Sequence, residues 1–163
     1  MTDHLVLPGN AQQALCDSVA EYGHLGVETG GLLMCPPDTD NVGVVALAGH
    51  AGVTRQYGLF VLTMPVIDQA FTFAEDMGLQ IRCQVHSHAG RAALSPLDQR
   101  GNLRINGFLA AVIPTFADPP QQPSSWGWWT FRGGSWRATA PASTDPNSTA
   151  KILTIDADGI RDH

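Results

Sequence analysis

The stretch LQIRCQVHSHAGRAALSPLDQR, Leu79 to Arg100, opens as an alternating strand. Ile81, Cys83 and Val85 are expected on one face, and Arg82, Gln84, His86 and His88 on the other. Two histidines at i and i+2 therefore project to the same side of one strand. The segment that follows is a helix start, with Ser95 at the N-cap, Pro96 at the first helical position and Asp98 two residues on. Each piece has an ordinary reading alone: strands carry H-x-H without function, and S-P-L-D is a good cap. Their nearness favours a shared site.

Two histidines on one face can reach a single metal ion together, and Asp98 is available as a third ligand after a loop containing the flexible Gly90. Two His and one carboxylate leave a position for water, which is the donor set of a catalytic zinc rather than a closed structural one. Zinc lowers the pKa of bound water to about 7. A hydrolytic site of this kind also needs a general base that is not a ligand. Glu28 opens the otherwise apolar run VETGGLLMC, where a charge is costly without a partner or a task. Taken alone, Glu28 reads as the solvated end of a strand.

Outward from these residues, NAQQALCDSVAEYG sets Ala11, Ala14, Leu15, Val19 and Tyr22 on one helical face, with Asn10 as N-cap and Gly23 as stop. VETGGLLMC and NVGVVALAG read as strands around the turn PPDTDN, and GLFVL as a third. Thr63 caps a helix over MPVIDQAFTFAEDM that Gly78 ends. GFLAAVI is a buried strand, and WGWWTFRGGSWRAT a hairpin around Gly133-Gly134. The pattern of helices alternating with strands gives an α/β class with a mixed sheet between helices. Residues 1–140 form the domain. Residues 141–163, rich in Ser, Thr, Pro and Asp, read as a flexible tail with a short strand at KILTI.

The chain has 163 residues, enough for one domain with its own core. Its formal net charge is −6 and no basic run appears, which argues against nucleic acid and against an anionic membrane surface. Three cysteines without a C-x-x-C pair argue against a disulfide framework and a thiolate zinc site. No signal peptide and no membrane-spanning run is read, so the expected setting is cytoplasmic.

E-T-G-G-L-L on an early strand, H-S-H ending a later one, then S-x-x-D, together resemble the JAMM (MPN+) metalloprotease family over residues 5–138. Two departures stand out: Ala89 replaces the proline common after the second histidine, and six residues, Ala89 to Leu94, precede Ser95, one fewer than usual. The resemblance implies a three-layer fold, a mixed β-sheet between helices of the MPN/JAB (cytidine-deaminase-like) architecture. It implies Zn2+ held by His86, His88 and Asp98, with Glu28 as proton carrier and Ser95 as donor to the developing oxyanion. It implies an isopeptidase or peptidase of the bacterial branch, cutting after the C-terminal glycine of a ubiquitin-like protein, in deconjugation or precursor processing and with antiphage defence among its settings. Substrate-embracing insertions fall at His50 to Tyr57 and at Pro114 to Ser125. The alternatives are a zinc hydrolase of small or cell-wall peptides and a non-catalytic interaction module. His24 and His50 read as surface or packing residues, Cys83 as core, and the four tryptophans as packing with room for one partner-binding anchor.

Overall fold

Apolar runs such as GGLLMC and LAAVI have no polar alternation, which suits strands buried on both faces. The computed structural model describes residues 2–163. In chain order its elements are β1 (Val6–Pro8), α1 (Gly9–Gly23), β2 (Gly30–Cys35), β3 (Val44–Ala48), β4 (Val53–Gln56), β5 (Leu59–Leu62) and α2 (Met64–Met77). There follow β6 (Gln80–Ser87), α3 (Pro96–Gly101), β7 (Leu109–Ile113), β8 (Gly127–Arg132), β9 (Ser135–Ala138), β10 (Ser143–Asp145), β11 (Lys151–Asp156) and β12 (Gly159–Asp162).

Eight strands form one mixed sheet in the order β12-β11-β3-β2-β6-β7-β8-β9. Strand β6 lies at its centre, antiparallel to β2 and parallel to β7. Strands β4 and β5 form a separate hairpin, and β1 pairs with β10. The central strands β2, β3 and β7 are buried on both faces. Leu15 and Val19 of α1 pack with Leu33, Val45 and Val85 on one side. Val66 and Ala70 of α2 pack with Leu32, Ala46 and Ile155 on the other. Consecutive residues of one strand, Leu32 and Leu33, thus enter different cores.

The expected α/β three-layer architecture of the MPN/JAB type is corrected here. The protein is mostly β: its α-helices have only 15, 14 and 6 residues, against the eight-stranded mixed sheet and two further ribbons. A single helix, not a helical layer, lies on each face. The short strands β1, β4, β10 and β12 carry too few residues to show a period-two pattern, so the alternation of longer segments overstated the helical share.

The flexible tail expected over 141–163 is also corrected. Strand β11 enters the sheet beside β3 in parallel register, Ile152 against Val45 and Thr154 against Leu47, and β12 completes that edge. Asn10 is not the helix cap: Pro8 holds that position, and the Asn10 side chain donates to the Ala150 carbonyl at 2.7 Å and accepts from the Ala150 amide at 2.9 Å. Helix and tail are stitched together where β11 begins. On β6 the register against β2 shifts between Leu33 and Met34, and Ile81 consequently joins the α2-side core instead of sharing a face with Cys83 and Val85. The α2 ends run as expected, with Pro65 in the first turn and Gly78 left-handed at φ 66°.

Ile155 is fully buried. Ile155→Ala is expected to cost about 2–5 kcal/mol, read as a lower urea midpoint at unchanged slope. A cost near zero would mean that the last strands do not belong to the folded unit.

Candidate metal centre

The centre is assembled at the C-terminal end of β6, and backbone clamps on both sides determine it. Ser87 is buried. Its amide donates to the Thr29 carbonyl at 2.9 Å, its hydroxyl donates to the same oxygen at 3.3 Å, and it accepts from the Thr29 amide at 3.0 Å. On the other side the His88 amide donates to Ile113 O at 2.9 Å, and the His88 carbonyl accepts from Phe116 N at 3.0 Å. His86 and His88 are thereby fixed at a strand end, with Glu28 one residue from the Thr29 clamp. The glycines of E-T-G-G permit this closeness. A Cβ on Gly30 would stand 2.0 Å from the Val85 carbonyl oxygen, and one on Gly31 would stand 2.4 Å from that of Ala46.

Asp98 arrives from the other direction. Ser95 Oγ accepts from the Asp98 amide and Asp98 Oδ2 accepts from the Ser95 amide, both at 3.0 Å, a complete capping box. This fixes the carboxylate against the histidines: His86 Nε2 lies 3.2 Å from Oδ1, and His88 Nε2 3.0 Å from Oδ2. The two Nε2 atoms are 3.1 Å apart. All five residues singled out in the sequence therefore meet in one region. Ser95 is joined to it through the cap.

The geometry can be tested against a cation. Bonds of zinc length in a tetrahedron set neighbouring donor atoms about 3.3 Å apart. The observed separations of 3.0, 3.1 and 3.2 Å are close to that edge. Only one of two facing Nε2 atoms can carry the proton between them, whereas one cation satisfies every lone pair at once. His86 Nδ1 is buried and has no partner, so the usual outer hydrogen bond to a ligating histidine is missing on that ring. Phe60 stacks on the ring instead, centroids 6.5 Å apart and planes at 10°.

Two carboxylates compete for the third donor position. One donor atom each from Glu28, His86 and His88 lie within 4.8 Å of one another, yet Asp98 touches both rings directly. Ionisation separates the two. Burial opposes charge on Asp98, but hydrogen bonds with His86 and His88 and with the Ser95 amide outweigh it and hold its carboxyl well below the usual range. Burial pushes the Glu28 carboxyl up to about 7; the nearby His88 lowers it and Asp98 raises it. Glu28 is only 4% exposed, and its Oε1 has no partner. Asp98 is the ready anion, and Glu28 is a carboxyl poised to gain or lose a proton near neutrality. Burial also opposes charge on His88, yet Asp98 raises its pKa.

Several contributors had no motif to announce them. Arg55 donates from Nε to Thr29 Oγ1 at 3.0 Å and from Nη1 to Gly49 O at 2.6 Å, under a cation–π contact with Tyr22 at 4.0 Å. It ties the β4–β5 hairpin to the residue beside Glu28, whose own amide donates to Gln56 O at 3.0 Å. The two segments expected to embrace a substrate do approach each other, Tyr57 meeting Phe116 edge-on at 6.2 Å. His24 and His50 lie outside the cluster, the His50 amide donating to Asp156. The three cysteines are free and buried, Cys16 and Cys35 with thiols pushed up to about 11 chiefly by burial. A cavity of about 190 Å³ adjoins His86 and Asp98 between Leu59, Phe60, Val61 and Leu97. A larger one, about 450 Å³, lies at the far end of β6, where Arg82 and Arg132 are already paired with Asp40 and Asp3.

No protein-family model and no curated protein matches the chain. Solved structures do. A protein from Desulfitobacterium hafniense, known in solution, is 16% identical with a TM-score of 0.64, the alignment covering 88% of this chain and 94% of that one. Another, from Salinibacter ruber, is 17% identical with a TM-score of 0.57, covering 89% and 95%. The likeness is one of fold. No helix among the described residues is long and apolar enough to cross a membrane.

Glu28 generates a pH test. Its carboxyl moves from 4.5 to about 7 on folding, so its contribution favours the folded state at low pH and is lost as pH rises through that window. In metal-free protein, Glu28→Gln is therefore expected to gain stability relative to the parent between about pH 4.5 and 7, with a constant difference above. Urea denaturation across pH measures it. A difference that does not vary with pH would mean that Glu28 ionises normally.

Proposed function

We propose that the protein is a zinc-dependent isopeptidase or peptidase of the JAMM type. In this reading it acts on the C-terminal glycine of a ubiquitin-like protein, in deconjugation or in precursor processing. The observation that carries the chemistry is the convergence of His86, His88 and Asp98 beside a buried, partnerless Glu28 carboxyl. The ordered set of E-T-G-G-L-L, H-S-H and S-x-x-D carries the family reading. His86, His88 and Asp98 would hold the zinc. Bound there, zinc would supply Lewis acidity and a water of lowered pKa.

The remaining work belongs to the chain. Glu28 takes the proton from the attacking water and delivers it to the departing amine, a two-way role suited to a carboxyl near 7. Ser95 Oγ already accepts from the Asp98 amide, and its own hydroxyl proton is free to be donated to an oxyanion. Asp98 stays ionised and keeps both rings in orientation. A cytoplasmic setting belongs to the same proposal and agrees with three free thiols. A ubiquitin-like tail suits the centre because glycines at the scissile bond let the backbone approach without a Cβ clash. A second reading, a zinc hydrolase of small peptides, draws support from the apolar cavity of about 190 Å³ beside Asp98.

One assay addresses the proposal. The zinc-loaded protein is incubated with a ubiquitin-like protein fused to a reporter after Gly-Gly, and with the fusion whose last glycine is valine. Cleavage of the first and marked slowing on the second are expected. Glu28→Gln should retain zinc and lose about 10²–10⁴-fold in rate, whereas His88→Ala should lose zinc. Loss of zinc from Glu28→Gln would reassign Glu28 as a ligand, and equal rates on glycine and valine would favour the small-peptide reading.

A further inference from the structure

The chain carries nine Lys and Arg against fifteen Asp and Glu, and its cations divide into two groups. Five have partners: Arg55 bonds to Thr29 and to carbonyls of the Ala48–Gly49 turn, while Arg82, Arg132, Lys151 and Arg161 pair with Asp40, Asp3, Asp162 and Asp156. Among the described residues the other four, Arg91, Arg100, Arg104 and Arg137, have no ion pair or side-chain hydrogen bond. All four are exposed. Arg91, Arg100 and Arg104 fall on the β6–α3 loop, on α3 and just beyond it, and Arg137, distant in sequence, on β9.

The fold joins these segments. Trp136 of β9 donates from Nε1 to the Gln99 carbonyl of α3 at 3.2 Å, and it meets Phe131 of β8 edge-on at 5.3 Å. Between α3 and this hairpin runs a groove of about 250 Å³, lined by Pro96, Arg100, Arg104, Phe131 and Trp136. No acidic residue lines it. Strand β9 is the last strand of the sheet, so its outer edge has no strand neighbour. Arginine on an edge strand can act purely as a guard against aggregation. A guard has no use for an aromatic-floored groove with two free guanidinium groups beside it, Arg100 on α3 and Arg104 just beyond the helix.

We propose that this strip is a docking surface for an acidic, extended segment of a protein partner, whose carboxylates pair with Arg100 and Arg104 while its apolar atoms rest on Trp136 and Phe131. Arginine suits this task because its planar fork receives a carboxylate with two hydrogen bonds. An extended segment also fits the open edge of β9, where backbone hydrogen bonds remain to be made. A peptide is favoured over nucleic acid by the charge of the whole. A net −6 chain repels a long polyanion, and four cations track only a short length of one. The inference does not depend on the metal centre.

The test is fluorescence anisotropy in the presence of a chelator. Its probe is a fluorescein-labelled peptide of alternating Glu and Val. Comparison probes are the same peptide with Gln for Glu and a single-stranded oligothymidine of equal charge. The parent protein should bind the Glu peptide, more weakly as salt rises, and should prefer it to both others. Arg100→Glu/Arg104→Glu should weaken binding about tenfold or more, and the milder Arg104→Gln should weaken it by less. Lys151→Glu, on the opposite side of the sheet, should stay within about twofold of the parent, because surface charges beyond a Debye length are screened. Circular dichroism checks folding of each variant. Absence of binding to the Glu peptide, equal binding of the Gln peptide, an unchanged double variant, or tighter binding of the oligonucleotide would each overturn the proposal.

Discussion

The three hydrogen bonds between Ser87 and Thr29 determine what the rest of the site can be. They join the ends of two antiparallel neighbours, β2 and β6, at the residue between the two histidines. Once that junction is made, His86 and His88 must face the same side, and Glu28 must lie next to them. The junction needs close backbones, so it needs Gly30 and Gly31, where any side chain would collide with a carbonyl of an adjoining strand. A side chain at either position would push the strands apart and separate Glu28 from the two histidines. Arg55 reinforces the same point from outside through Thr29 Oγ1, and thereby joins the β4–β5 hairpin to the centre.

Electrostatics follow from this arrangement. Glu28 and Asp98 are both carboxyl groups close to the same histidines, yet their environments drive them apart. Asp98 accepts hydrogen bonds from three directions and stays ionised. Glu28 is buried with an unsatisfied oxygen, and its pKa rises to about 7. Two carboxyls with separated pKa values are chemically distinct, Asp98 staying ionised and Glu28 able to gain or lose a proton near neutrality. A buried Glu without a partner is costly for folding, which suits a residue with a chemical task better than one that serves stability.

The site was more legible in the sequence than the fold. H-S-H and S-P-L-D are local patterns, and the period of a strand and the geometry of a cap convert them into positions within a few ångströms. Glu28 stood out because a charge heads an apolar run. The class of fold was misjudged because β1, β4, β10 and β12 are too short to show alternation, and because nothing local in the Ser-, Thr- and Pro-rich tail shows that the strand expected at KILTI pairs across more than a hundred residues with β3. The face of Ile81 was misread since a register shift against β2 interrupts the period of two. Arg55, Phe60 and the group of free arginines had no local signal, for their neighbours are supplied by tertiary packing alone.

The central claim is that Asp98, and not Glu28, completes a metal centre with His86 and His88. Anomalous diffraction from crystals of the zinc-loaded protein, collected on both sides of the zinc edge, tests it directly. The account predicts one anomalous peak at about 2.0–2.2 Å from Nε2 of each histidine and from an Asp98 oxygen, with the Glu28 carboxyl outside bonding distance. A peak bonded to Glu28 in place of Asp98, or no peak between the histidines, would contradict it.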